Sequence, residues 1–179
     1  MVLPPSYWKQ LYNKFKHQAL CIDVEATKWN GPISIIGVYK PKEGEIDYTA
    51  FVKGENLTLD NLKQAFAHCK LLITFNGTNY DVPEIKKQFP GVIPENTPVI
   101  DLYLLAKKLD LDTGLKTLEQ TFKIFRKEEV ENKRKTSTKM WRKYEKTGNK
   151  KFLDNLIEYN RQDTINLYPL AERIMEMIE

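Results

Sequence analysis

Two carboxylates stand two residues apart in Asp23-Val24-Glu25, at the end of the apolar run that begins at Ala19. The run reads as a strand, and strand side chains alternate between faces. Leu20, Ile22 and Val24 then point one way, and Cys21, Asp23 and Glu25 the other. A strand this apolar is expected to be central and covered on both sides. Two acids side by side there repel each other and lose solvation. A divalent cation relieves both problems, because hard cations take carboxylate oxygens. The alternative is an acidic pair facing solvent at the sheet edge.

Two further segments offer acids in suggestive places. Asn76-Gly77-Thr78-Asn79-Tyr80-Asp81 follows the apolar stretch Leu71–Phe75 and opens a helix. Asp81 either caps that helix, with Pro83 in its first turn, or faces a ligand at the carboxyl edge of the sheet. Near the C-terminus, Leu153, Leu156, Leu167, Ala171 and Ile174 mark the apolar stripe of a long helix. At about 100° per residue, Asp163 falls about 20° from Leu156, at the margin of that stripe. Tyr159 lies one turn earlier on the same side. An unpaired charge there is costly, and a metal or a basic partner would resolve the conflict. Arg161 and Arg173, on the same helix, lack the spacing to pair with Asp163.

The elements that must position these groups are legible from periodicity. Trp8, Leu11, Tyr12 and Phe15 predict a short amphipathic N-terminal helix. Strands are expected at Ala19–Glu25, Ile33–Tyr39 and Glu45–Lys53, with a turn at Pro41–Gly44 between the last two. A helix over Leu59–His68, a strand at Leu71–Phe75 and a helix over Tyr80–Phe89 follow. A strand at Pro98–Leu102 then runs into a helix to about Leu109, and Leu115–Phe122 forms another. Three strands in succession followed by alternating helices and strands predict an α/β mixed sheet. Residues 1–17 are expected to form a helix packed on the domain, and residues 18–179 the domain itself.

Composition excludes several classes. The chain has 179 residues, 41% of them hydrophobic, which suits one domain with a substantial core. No apolar run approaches the roughly 18 residues that span a bilayer. The N-terminus lacks the pattern of a secretory signal, so a cytoplasmic location is expected. Cys21 and Cys69 are too few for a disulfide scaffold, and His17 and His68 too few for a His-rich metal site. The net charge is +4, but from Lys116 to Lys151 there are 13 Lys and Arg against 5 Asp and Glu. That segment is either a solvated helical face or a surface for a polyanion.

Asp23-Val24-Glu25, Asn76 to Tyr80-Asp81, and Tyr159-Asn160-Arg161-Gln162-Asp163 occur in this order. Together they make the chain resemble the ribonuclease-H-like 3′–5′ exonucleases of the DEDDy branch. The stretches Leu115 to Glu119 and Tyr144 to Asp163 resemble the YprB-type exonucleases within it. The resemblance covers roughly residues 18–177. It implies a ribonuclease-H-like fold: a five-stranded mixed sheet, three antiparallel strands then two parallel ones, flanked by helices. It implies two divalent cations, Mg²⁺ or Mn²⁺. Asp23, Glu25 and Asp163 would hold the first, Asp23 would bridge to the second, and Asp81 would reach the second. Tyr159 would orient the attacking water, and the product would be nucleoside 5′-monophosphates. The implied partner is DNA or RNA with a single-stranded 3′ end, in repair or RNA processing, with no membrane. A ribonuclease-H-type endonuclease and a catalytically silent binding domain are the competing readings.

Other residues are assigned more loosely. Asp101 ends a strand and is expected to cap a helix, to support the site or to touch substrate. Trp29 either stacks on a base or packs against the sheet. Candidate nucleic-acid contacts are Trp29, Asn76, Lys133, Arg134, Lys135, Lys139, Arg142 and Lys143.

Overall fold

Ala19–Ala26 forms the strand on which the architecture is hung, because it has neighbours on both sides. In the computed structural model, which describes residues 4–28, 30–42, 44–127 and 134–179, this strand (β1) pairs antiparallel with β2 (Ile33–Lys42) and parallel with β4 (Leu71–Thr74). β3 (Glu45–Val52) flanks β2 and β5 (Val99–Asp101) flanks β4, giving the order β3-β2-β1-β4-β5. Three antiparallel strands followed by two parallel ones make the mixed sheet that the sequence predicts.

The alternation along β1 sorts the core into two layers. Leu20, Ile22 and Val24 pack with Leu62 and Phe66 of α2 (Leu59–Phe66) and with Val82 and Ile85 of α3 (Asp81–Gln88). Cys21 faces the other layer. There it joins Ile73 and Ile100, Leu102 and Leu105 of α4 (Leu102–Lys108), Leu118 of α5 (Leu115–Thr121), and Leu167, Leu170 and Ile174 of the last helix. Burying each such aliphatic side chain stabilises the fold by about 1.5–3 kcal/mol. The N-terminal helix α1 (Pro5–Phe15) adds Tyr12 to this second layer, with Trp8 and Phe15 packed against it. Past it, α6 (Arg134–Thr147) brings Trp141 to Ile35 and Val52 beside Leu153 and Leu156 of α7 (Lys150–Glu176).

Asp23 and Glu25 therefore point into the layer that α7 covers. α7 can approach this closely because Gly37, the β2 partner of Asp23, has no side chain. A Cβ at Gly37 would lie 1.9 Å from Asn160 Oδ1 and 2.6 Å from Thr164 Oγ1. Overpacking of this kind costs about 1–3 kcal/mol. Gly37→Ala is expected to lower the melting temperature by several degrees and to reduce any activity that depends on Asp23. An unchanged thermal unfolding curve would contradict this account of the α7–sheet contact.

The β2–β3 hairpin differs from the sequence reading. β2 runs on to Lys42, with Pro41 opposite Ile46, so the hairpin is shorter than a Pro41–Gly44 turn. The partners of β2 on β1 end at Tyr39, so the missing amide of Pro41 leaves no ladder bond unmade on that side. Among the described residues, no helix is long and apolar enough to cross a membrane.

Candidate active site

The four acids singled out by sequence arrive from three elements: Asp23 and Glu25 on β1, Asp81 at the start of α3, and Asp163 in the middle of α7. Each is held by its own neighbour. Asn160 Nδ2 donates to Asp23 Oδ2 at 2.8 Å and to the Asp23 main-chain oxygen at 3.2 Å. The Tyr48 hydroxyl donates to Asn160 Oδ1 at 2.8 Å and so fixes the amide's orientation. The Ser137 hydroxyl of α6 hydrogen-bonds the buried Glu25 carboxylate. Thr74 Oγ1 donates to Asp81 Oδ2 at 3.2 Å. Arg126 Nη2 lies 2.5 Å from Asp163 Oδ1.

The acids share one electrostatic neighbourhood. Burial raises the pKa of Asp23 most, followed by the charges of Glu25, Asp81 and Asp163, against the Asn160 hydrogen bond. Burial also pushes Glu25 up, to about 8, with Ser137 opposing and Asp163 and Asp81 adding to the rise. Asp163 is raised by burial even though Arg126 and the Tyr159 hydroxyl both favour its ionised form. The neighbours fixing Asp23 and Glu25 are neutral, so the negative charge there is solvated poorly and not cancelled. That is the condition under which carboxylates take up a cation. Among the described residues, however, no group of three or more His, Cys, Asp or Glu side chains is already set to hold a metal ion.

Tyr159 sits beside Asp163 as the helical spacing requires, and its hydroxyl hydrogen-bonds that carboxylate. Burial, then the charge of Asp163, holds the phenol proton far above its ordinary range. Lys116 Nζ lies 5.9 Å from the centre of the Tyr159 ring.

Asp101 shapes the loop before Asp81. Its carboxylate accepts from the amides of Asn76 (2.7 Å) and Thr78 (3.0 Å), from Thr78 Oγ1 (2.5 Å), and from Tyr103 N (3.1 Å) at the start of α4. Asn76 adopts φ 59°, and its Oδ1 accepts from Asn79 Nδ2 at 2.8 Å. Gly77 leaves room for Thr74 and Asp81, since a Cβ there would lie 2.0 Å from Thr74 Oγ1 and 2.8 Å from Asp81 Oδ2. Asp101 is thus a capping and loop-holding residue, and Asn76 shapes the same turn.

The basic partner that Asp163 needs comes from outside α7. Arg126 forks onto buried Glu119 through Nε (2.6 Å) and Nη2 (2.7 Å), and Asn166 Nδ2 donates to Glu119 Oε1 at 2.9 Å. Arg161 pairs with Glu158 at 3.6 Å instead. The sequence signalled the need for a cation at Asp163 but not its source, a loop residue 37 positions away. The sequence likewise assigns no role to Asn160, Ser137, Glu119 or Asn166, because each role is defined by a long-range contact. Lys139, Arg142 and Lys143 are exposed on α6. Trp29 and Lys133 lie outside the described residues, as do the side chains of Arg134 and Lys135.

The model of the RNase_H_2 family, described as RNase_H superfamily, matches residues 20–175, a span that holds all four acids and Tyr159. The chain belongs to this family. As an RNase_H superfamily member it also shares its fold with a family B DNA polymerase from the hyperthermophilic archaeon Pyrobaculum calidifontis, at a TM-score of 0.65 and 14% identity. That likeness covers 88% of this chain and 24% of the polymerase chain, so this RNase_H domain spans about a quarter of the polymerase's length. No curated protein matches the sequence.

Proposed function

We propose that this RNase_H superfamily member is a metal-dependent 3′–5′ exonuclease of the DEDDy branch, close to the YprB type, acting on single-stranded ends of DNA or RNA. The observation that carries the reading is the convergence of four acids from three elements, Asp23 beside the buried Glu25, Asp81 and Asp163, with Tyr159 bonded to the last of them. Asp23, Glu25 and Asp163 would hold one divalent ion, and Asp23 and Asp81 a second. Two such ions, when bound, supply positive charge for the attacking and leaving oxygens of a phosphodiester.

The chain's own residues supply the rest. Tyr159 keeps its proton and donates it to Asp163, so its oxygen can accept a hydrogen bond from water and orient it, and the tyrosine does not act as the base. Asp163 holds the tyrosine hydroxyl, and Arg126 holds Asp163. Lys116 puts a positive charge beside the tyrosine ring, on the approach of an anionic substrate. Lys139, Arg142 and Lys143 lie on the helix whose Ser137 touches Glu25, so they offer phosphates a route to the acids.

Digestion of 5′-labelled single-stranded DNA and RNA with Mg²⁺ or Mn²⁺ tests the reading. A ladder shortening one nucleotide at a time from the 3′ end is expected. Internal cuts alone would assign an endonuclease, and intact substrate a binding domain. Tyr159→Phe is expected to slow the single-turnover chemical step by 100-fold or more, roughly the worth of one catalytic hydrogen-bonding group, with oligonucleotide affinity unchanged. A full single-turnover rate in that variant would reassign Tyr159 to packing.

A further inference from the structure

Residues 124–127, which follow α5, present one aromatic ring to solvent on a backbone that is well tied down. Phe125 is 81% exposed, the most of any large hydrophobic side chain among the described residues. Solitary surface hydrophobics are ordinary, but this one does not sit on a loose loop. Ile124 N donates to Glu119 O at 2.8 Å, and Phe125 O accepts from Asn166 Nδ2 at 3.2 Å. Arg126 is locked in its fork on Glu119, and Lys127 N donates to Gln162 Oε1 at 3.1 Å. Gln162 and Asn166 flank Asp163 on α7, so the segment is fixed to the helix turn that carries a candidate catalytic acid.

Its side chains alternate as in an extended strand. Ile124 packs inward on the core, and Arg126 points inward to Asp163. Phe125 and Lys127 face out. The Lys127 side chain is 64% exposed and stands 3.9 Å from Glu158, an open pair of little energetic worth that a phosphate can displace. An aromatic face and a cation two residues apart, on a pre-ordered backbone, match a base and its adjoining phosphate. Holding the ring in place beforehand spares the ordering entropy that a mobile loop would lose on binding.

We propose that Phe125 is the stacking platform for a base of the single-stranded substrate, with Lys127 meeting the neighbouring phosphate. This rests on the nuclease reading and adds to it a position that sets affinity and strand preference. The test is binding of an oligothymidylate with phosphorothioate linkages at its 3′ end, in Mg²⁺, by wild type, Phe125→Ala and Phe125→Trp. Phe125→Ala is expected to bind about tenfold more weakly, within the range for one lost base stack, with an unchanged melting temperature. Phe125→Trp should restore the affinity. Replacing one base at a time by an abasic residue should reveal a position where wild type and Phe125→Ala bind equally. Equal affinity of wild type and Phe125→Ala for the intact strand would overturn the proposal, even with cleavage intact. A loss in Phe125→Ala that no abasic position removes would also overturn it. So would a change in the protein's own assembly with nucleotide affinity unaltered, which would assign the ring to a protein contact. Wild type that neither binds nor cleaves any strand would remove the nuclease reading itself.

Discussion

Asp23→Asn is expected to lose nearly all turnover while making the metal-free protein more resistant to heat. Asp23 is the acid whose pKa is raised by all three others, so it is the point where their charges converge. Asn keeps the shape and can still pair with Asn160 by turning its amide. It cannot supply the negative oxygen that a bridging position needs. Removing several kcal/mol of charge stabilisation from the transition state corresponds to at least about 1,000-fold in rate. The same change removes a half-buried charge that Glu25, Asp81 and Asp163 all oppose. For a chain of this size each 1 kcal/mol gained raises the melting temperature by about 2–4 °C. Lower activity together with lower stability would mean that Asp23 is a structural acid.

The second large effect is on pH. Asp23, Glu25 and Asp163 all have folded-state pKa values above their unfolded ones. The folded state therefore holds more protons than the unfolded chain over that interval, and stability falls as pH rises. For Glu25 the interval runs from its ordinary 4.5 to about 8. The metal-free protein is expected to be most heat-stable near pH 5 and to lose stability steadily towards pH 9. Mg²⁺ or Mn²⁺ should reverse the loss, most strongly at the alkaline end, since an ion that binds only the folded form stabilises it. Melting curves at a series of pH values, with EDTA and with Mg²⁺, give the comparison. A metal-free melting temperature that rises with pH would contradict the electrostatic account.

The parts of this site that sequence reveals are those set by local geometry. Period-two alternation placed Asp23 and Glu25 opposite Leu20, Ile22 and Val24. Helical angles placed Tyr159 and Asp163 on one side of α7, and the apolar stripe around Asp163 announced that its charge needed a partner. Even Asp101 was legible as a cap, because it stands at a strand-to-helix junction. What local geometry cannot show is which distant residue answers such a demand. Arg126 reaches Asp163 only because α5 ends where Lys123 takes φ 55° and the chain turns back along α7. Asn160 stands between Tyr159 and Asp163 with nothing in its spacing to give it a role. It holds Asp23 because Gly37 lets α7 lie close on the sheet, and no spacing rule links residues 37, 23 and 160. The shorter β2–β3 hairpin has a similar origin. Pro41 reads as a turn residue until the register shows it paired with β3 at Ile46, beyond Tyr39, where the pairing of β2 with β1 ends.

Buried carboxylates that need ions in order to act are the centre of this account. The most direct test is the release of nucleoside 5′-monophosphate from a single-stranded oligonucleotide by the purified protein, first in EDTA and then after Mg²⁺ or Mn²⁺ is restored. The account predicts no mononucleotide in EDTA, steady release once either ion is added, and none from Asp23→Asn under the same conditions. Mononucleotide released in EDTA, or released by Asp23→Asn at the wild-type rate, would contradict it.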